Sequence, residues 1–335
     1  MPSFRTAVVT SILEEREGLQ RVQVDDADLA YALVELVGPV AVGDEVVLNT
    51  TAVEMGLGTG GWHVVHWNLN RREWSGPGRG HVLKLRYTSL QTDAGAYEEG
   101  GAVPADLDGT PVVACTLHSQ VACVAAAFKH AAPESRLVYV MTDGAALPLA
   151  LSDLTAAMTA AGLIDATITA GHAFGGDIEA VNVASALTLA HHVLEADAVV
   201  VAMGPGVVGT GTELGTTAIE AAGVLDTTAA LGGVPILALR VSLADPRPRH
   251  SGISHHSVTV LRLARPGVRV PVPIGLALDL SDHTVTVVEP PDMALVLGAH
   301  HLQVTTMGRG PADDPTFFAA AGAAGTFAAR LVGAG

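Results

Sequence analysis

The chain has 335 residues, a length that suits two domains or one large domain with an appendage. Eighteen Lys and Arg against 34 Asp and Glu leave a formal net charge of −16, which argues against nucleic acid or an anionic membrane as the main partner. Hydrophobic residues at 49% and charged residues at 16% exclude a disordered chain and provide for a sizeable core.

Apolar, β-branched runs at 5–13, 19–24, 29–37 and 44–51 read as strands separated by turn signals such as Glu17-Gly18 and Gly38-Pro39. Glycine-rich loops follow at 55–61 and 71–80, with strands at 62–68 and 81–90. Many short strands at this spacing predict a small all-β domain, barrel- or sandwich-like, over 1–97. A linker rich in Gly, Asp, Glu and Pro is expected at 98–110. From Pro111 the rhythm changes. Strands at 112–117, 137–141, 166–170, 198–203 and 234–239 alternate with helices ending at His130 and spanning 151–161, 178–194 and 213–222. This predicts an α/β domain over 111–335, with a mostly parallel sheet covered by helices. A strand at 284–288 and a closing helix at 315–331 complete the reading.

In such a sheet, ligands sit beyond the carboxyl ends of the strands. The segments expected there are His118-Ser119-Gln120, Thr142-Asp143-Gly144, Gly171-His172 with Asp177 and Glu179, the glycine-rich run 204–212, and Arg240 through His250 with Ser254-His255-His256. Catalytic candidates are His118, Asp143, His172, Asp177 and His255, because imidazoles and carboxylates exchange protons near neutral pH. Singly, Ser119, Ser152 and Asp177 also read as helix N-caps.

The run 204–212 contains G-x-G-x-x-G at Gly204, Gly206 and Gly209. After a strand and before a helix, that spacing suits an anion on backbone N–H groups. Thr210, Gly211 and Thr212 extend the loop, and Arg247, Arg249, His250 and His256 add candidate anion donors. A dinucleotide fits less well. Pro205 removes one N–H, and Arg240 stands where a ribose-binding acid is expected. His172, Asp177 and Glu179 form a candidate set for a divalent metal. The adjacent pair His191-His192 reads as helix surface or packing rather than as metal ligands, since neighbouring helical residues face apart.

Two cysteines, Cys115 and Cys123, imply no disulfide framework. The first residues lack a signal-peptide layout. The longest uncharged window, 109–128, is broken by Pro111, His118, Ser119 and Gln120 and is not a membrane span. The expectation is a soluble, cytoplasmic homo-oligomer.

The segments Leu48-Asn49-Thr50-Thr51-Ala52, Lys84-Leu85-Arg86-Tyr87-Thr88, Leu117-His118-Ser119-Gln120, Met141-Thr142-Asp143-Gly144 and Gly171-His172-Ala173-Phe174-Gly175-Gly176-Asp177, with Gly204-Pro205-Gly206 and Ser254-His255-His256, form a distinctive set. By them the chain resembles a bacterial family known only as a domain of unknown function. Ser257 departs from the Thr expected there. The resemblance implies no activity, so the functional expectation rests on the residues. It is an enzyme, a hydrolase or group transferase, acting on a small phosphorylated or carboxylated metabolite. The alternatives are an NAD(P)-dependent oxidoreductase and a non-catalytic ligand-binding or assembly protein.

Overall fold

The computed structural model describes residues 1–57, 60–76, 78 and 80–333, and the chain divides into two compact units, Met1–Gly95 and Ala96–Gly335. Gly58 and Thr59 of the first expected loop, and Pro77 and Arg79 of the second, lie outside the described residues.

The first unit is a small barrel of β1 (Phe4–Arg16), β2 (Leu19–Val24), β3 (Asp28–Leu33), β4 (Glu45–Asn49) and β5 (Trp62–Asn68), closed in the order β1-β2-β3-β5-β4. β1 pairs with both β2 and β4, and register shifts near Ser11 and Glu14 let it bend between them. Small inward side chains, among them Ala7, Val9, Ala30, Ala32 and Val46, fill the narrow interior. The strand expected at 29–37 ends at Leu33 and gives way to one helical turn, Val34–Val37. Of the strand expected at 81–90, only Leu83–Lys84 is extended, paired with Thr92–Asp93.

The residues expected to form a linker pack into the second unit. Leu107 is fully buried and its N–H donates to Leu231 O, while Gly109 N donates to Gly232 O. The unit then runs β6 (Pro111–Cys115), α1 (His118–Ala131), β7 (Leu137–Thr142), α2 (Asp153–Ala160), β8 (Ala166–Ala170), β9 (Ile178–Ala180), α3 (Val183–His192) and β10 (Ala198–Met203). After these come α4 (Glu220–Ala230), β11 (Val234–Ala238), α5 (His255–Leu263), β12 (Arg269–Val272), β13 (Thr284–Val287), α6 (Met293–Ala299) and α7 (Pro315–Val332). The eight strands form one parallel sheet in the order β9-β8-β7-β10-β6-β11-β12-β13.

The five apolar strands foreseen are its centre, each buried on both faces, as a doubly covered sheet requires. One core holds side chains of α1, α2, α6 and α7, and the other holds those of α3, α4 and α5. The contact of α1 with α7 is close because it is built from alanine and glycine. A Cβ at Gly325 would fall on the Val124 carbonyl.

Two expected helices are corrected. The helix foreseen at 178–194 is the edge strand β9 followed by α3, whose N-cap is Asn182, accepting from Ser185 N at 3.0 Å, and not Asp177. The helix foreseen at 213–222 begins instead as a 3-10 turn at Thr217–Ile219 and continues as α4.

Candidate functional site at the carboxyl rim

The parallel sheet brings the ends of β6, β7, β8, β10 and β11 to one edge, so His118, Asp143, His172, the 204–212 loop and Arg240 share a rim. Neighbouring strands β6 and β10 feed α1 and α4 on opposite faces. Their loops therefore part between them, which is the switch point where open α/β sheets hold ligands. A cleft of about 570 Å³ opens there. Its walls include His118 and Ser119 at the start of α1, Asp153 of α2, Gly206 and Val207 of the glycine loop, and Met307 of the segment after α6. Its size lies within the range of small-molecule sites.

His118 borders this cleft, but its ring is committed. Nδ1 lies 3.2 Å from both Met203 O and the Tyr139 hydroxyl, and Nε2 lies 2.6 Å from Ser152 Oγ. A carbonyl only accepts, so Nδ1 carries the proton and Nε2 accepts from Ser152. Burial holds this imidazole neutral, with its pKa pushed down to about 4. Both ring nitrogens are thus engaged with protein atoms. Ser152 is also the N-cap of α2, accepting from Thr155 N at 2.9 Å, whereas Ser119 lies inside the first turn of α1. Gln120, fully buried, accepts from Thr116 N and Leu117 N and donates to Ala238 O and Leu239 O, so it ties the tips of β6 and β11 together.

A second group surrounds the end of β7. Asp143 Oδ2 accepts from His172 N at 2.9 Å, and Thr142 donates to the Glu220 carboxylate. Burial raises Glu220 to about 7, the Thr142 bond opposes that shift, and the nearby Asp143 charge adds to it. Gly171 (φ +68°) and Gly144 let these carboxylates approach the backbone. A Cβ at either position would collide with Asp143 or Glu220, respectively. Sequence reasoning missed Glu220. It opens α4, where an acidic residue is ordinary, and nothing in the sequence signals its burial.

The expected metal set is not assembled. Asp177 accepts from Thr167 N and Oγ1 at 2.8 Å each, and Glu179 accepts from Thr169 Oγ1 and Gly175 N at 2.7 Å each. These carboxylates hold the β8–β9 connection. Among the described residues, the groups with metal-ligand spacing are His250, His255 and His256, and Asp106, His191 and His192.

The glycine run is also corrected in detail. It folds back on itself: Thr210 N donates to Gly215 O at 2.7 Å, and Thr217 N donates to Val208 O at 2.9 Å. Thr210 and Thr212 spend their hydroxyls inside the loop, 2.9 Å from each other. The chain thus makes a small hairpin before α4, rather than the direct entry into a helix N-terminus that a dinucleotide loop provides.

What meets this loop comes from beyond β11. The Arg249 guanidinium lies over Gly211, with Nη1 3.6 Å from where a Cβ would stand. Arg249 is exposed and makes no ion pair with any described carboxylate. Arg247, by contrast, forks onto Asp245 at 2.9 and 2.7 Å. Buried Asp245 also faces Arg309 at 3.2 Å and Arg240 at 3.8 Å. The Arg247 bond holds its carboxyl far below the usual range.

His250, His255 and His256 cluster beside these arginines, with ring centroids 4.4 to 5.0 Å apart. Burial and then Arg240 push His250 down to about 4 and His256 to about 3, while burial and Arg249 lower His255. Arg240 Nη1 donates to His256 Nδ1 at 3.1 Å, and Arg249 Nε donates to His250 Nε2 at 3.3 Å. Guanidinium has no acceptor, so both imidazole lone pairs are taken. A metal ion would have to displace them and sit among positive charges. An anion meets the opposite field, with the N–H on His256 Nε2 as a further donor. Among the described residues, His255 Nε2 is buried with no hydrogen-bond partner.

No curated protein matches the chain, and no solved structure does. Among the described residues, no helix is long and apolar enough to cross a membrane. A family model described as a protein of unknown function, DUF3866, matches residues 29–325, and the chain belongs to that family.

Proposed function

We propose that this protein is an enzyme, a hydrolase or group transferase, whose substrate is a small phosphorylated or carboxylated metabolite. The observation that carries the reading is the Arg249 guanidinium over Gly211, which has no carboxylate partner among the described residues, beside His255, whose Nε2 is buried without a hydrogen-bond partner among them. Arg249 anchors the anion, His256 Nε2–H donates to it, and His255 exchanges the proton. Arg240 and His250 hold the two histidines in place. The 204–212 loop contributes Gly206 and Val207 to the switch-point cleft and Gly211 to the arginine, so one loop borders both.

The test is calorimetric titration of inorganic phosphate and of acetate into wild type and Arg249→Ala, followed by turnover assays on a panel of phosphate monoesters and carboxylate esters. A charged hydrogen bond contributes about 1.5–3 kcal/mol, so the variant should bind roughly 10- to 150-fold more weakly. Equal affinity in both proteins removes Arg249 from the site. Binding that persists with no turnover on any ester supports the non-catalytic alternative.

A further inference from the structure

Away from the rim, three potential ligands meet at the end of α3. Asp106, His191 and His192 each offer an atom, and these atoms lie within 4.8 Å of one another. His191 and His192 occupy the last turn of α3, and Asp106 belongs to the segment that crosses it, anchored by Leu107 N to Leu231 O and Gly109 N to Gly232 O. Adjacent helical residues normally diverge. Here the crossing segment draws the two rings together, edge to face, with centroids 4.4 Å apart. His191 Nδ1 meets Thr110 Oγ1 at 2.9 Å, which leaves its Nε2 for a ligand. His192 Nε2–H donates to the Asp106 carbonyl oxygen at 3.0 Å and lies 3.8 Å from its carboxylate, so an ion bound there takes the place of that proton.

We propose that Asp106, His191 and His192 form a binding site for a late first-row divalent cation of the zinc type. Two imidazoles and one carboxylate favour such an ion over magnesium or calcium, which prefer all-oxygen ligands. Three protein ligands leave a fourth position for water. The carbonyl end of α3 carries partial negative charge, and the chain as a whole is strongly acidic. Thr110 supplies the outer contact that orients a ligating histidine. The contrast with the rim histidines is chemical: among the described residues, no guanidinium donates to either ring here. A bound ion would clamp the segment containing Asp106 to the end of α3.

The experiment is zinc titration by calorimetry on the full, tag-free chain, with magnesium as the comparison ion. Wild type is expected to take up zinc saturably and to ignore magnesium. His191→Ala and Asp106→Asn are each expected to lose one equivalent, and Thr110→Val to bind about 10- to 100-fold more weakly. Asp106 is exposed, so Asp106→Asn decides the matter should His191→Ala fail to fold. No saturable zinc uptake in wild type overturns the proposal. So does uptake unchanged in Asp106→Asn, since the ion then sits elsewhere.

Discussion

Replacing Glu220 with Gln tests whether the carboxylates at the end of β7 are held as described. Burial lifts this carboxyl from 4.5 to about 7, a difference of 7 − 4.5 = 2.5 pH units. Over that window the unfolded chain releases the proton while the folded chain keeps it. The unfolded state therefore binds fewer protons, and stability falls as pH rises from 4.5 to about 7, then levels off. At about 1.4 kcal/mol per unit, the loss reaches at most about 3.5 kcal/mol, less whatever solvent reaches the group. Gln accepts the Thr142 hydroxyl as the acid does and has nothing to ionise. The variant should match wild type at acidic pH and exceed it by up to about 3.5 kcal/mol above neutrality. Urea denaturation of both proteins across this range measures the difference directly. A gap that stays constant with pH, within about 0.5 kcal/mol, would refute the buried, proton-retaining Glu220.

Three further outcomes follow from other parts of the second unit. His118 acts in the opposite direction: its folded pKa lies below its unfolded one, so wild-type stability should drop on acidification, by about 2 kcal/mol between about pH 7 and pH 5. Urea denaturation of His118→Gln should lack that contribution, and an unchanged slope would count against the neutral, enclosed ring. Asp245→Asn leaves Arg240, Arg247 and Arg309 without their shared carboxylate and should cost about 3–5 kcal/mol, read as a lowered urea midpoint. Gly325→Ala forces a methyl onto the Val124 carbonyl and should destabilise by about 1–3 kcal/mol despite alanine's better helix propensity; a raised Tm would contradict the close α1–α7 crossing.

The α/β architecture was legible because two-sided burial writes itself as uninterrupted apolar runs, and β6, β7, β8, β10 and β11 all carry one. Of the outer strands, β13 was expected at 284–288, but β9 and β12 were not read as strands. Ile178–Ala180 is three residues long, and Arg269–Val272 carries a proline, so neither shows a period. Asp177 stood where an N-cap would, but its carboxylate serves Thr167 across the β8–β9 connection. The rim itself was legible from what followed each strand. Its partners were not, because which carboxylate neutralises which arginine depends on the fold: Asp245 takes Arg247 and leaves Arg249 over Gly211. Glycine spacing suggested a phosphate loop, and internal hydrogen bonds from Thr210 and Thr217 make it a hairpin instead.

The α1–α7 crossing also sets an order on events at the ribosome. α1 ends at Ala131 and α7 begins at Pro315, so 315 − 131 = 184 residues of translation separate them. At roughly 5–20 residues per second, the flank of α1 waits on the order of 10–40 seconds for its cover. During that interval the nascent chain lacks the helix that covers the alanines of α1, and uncovered apolar surface of this kind is what makes partly folded chains prone to aggregate.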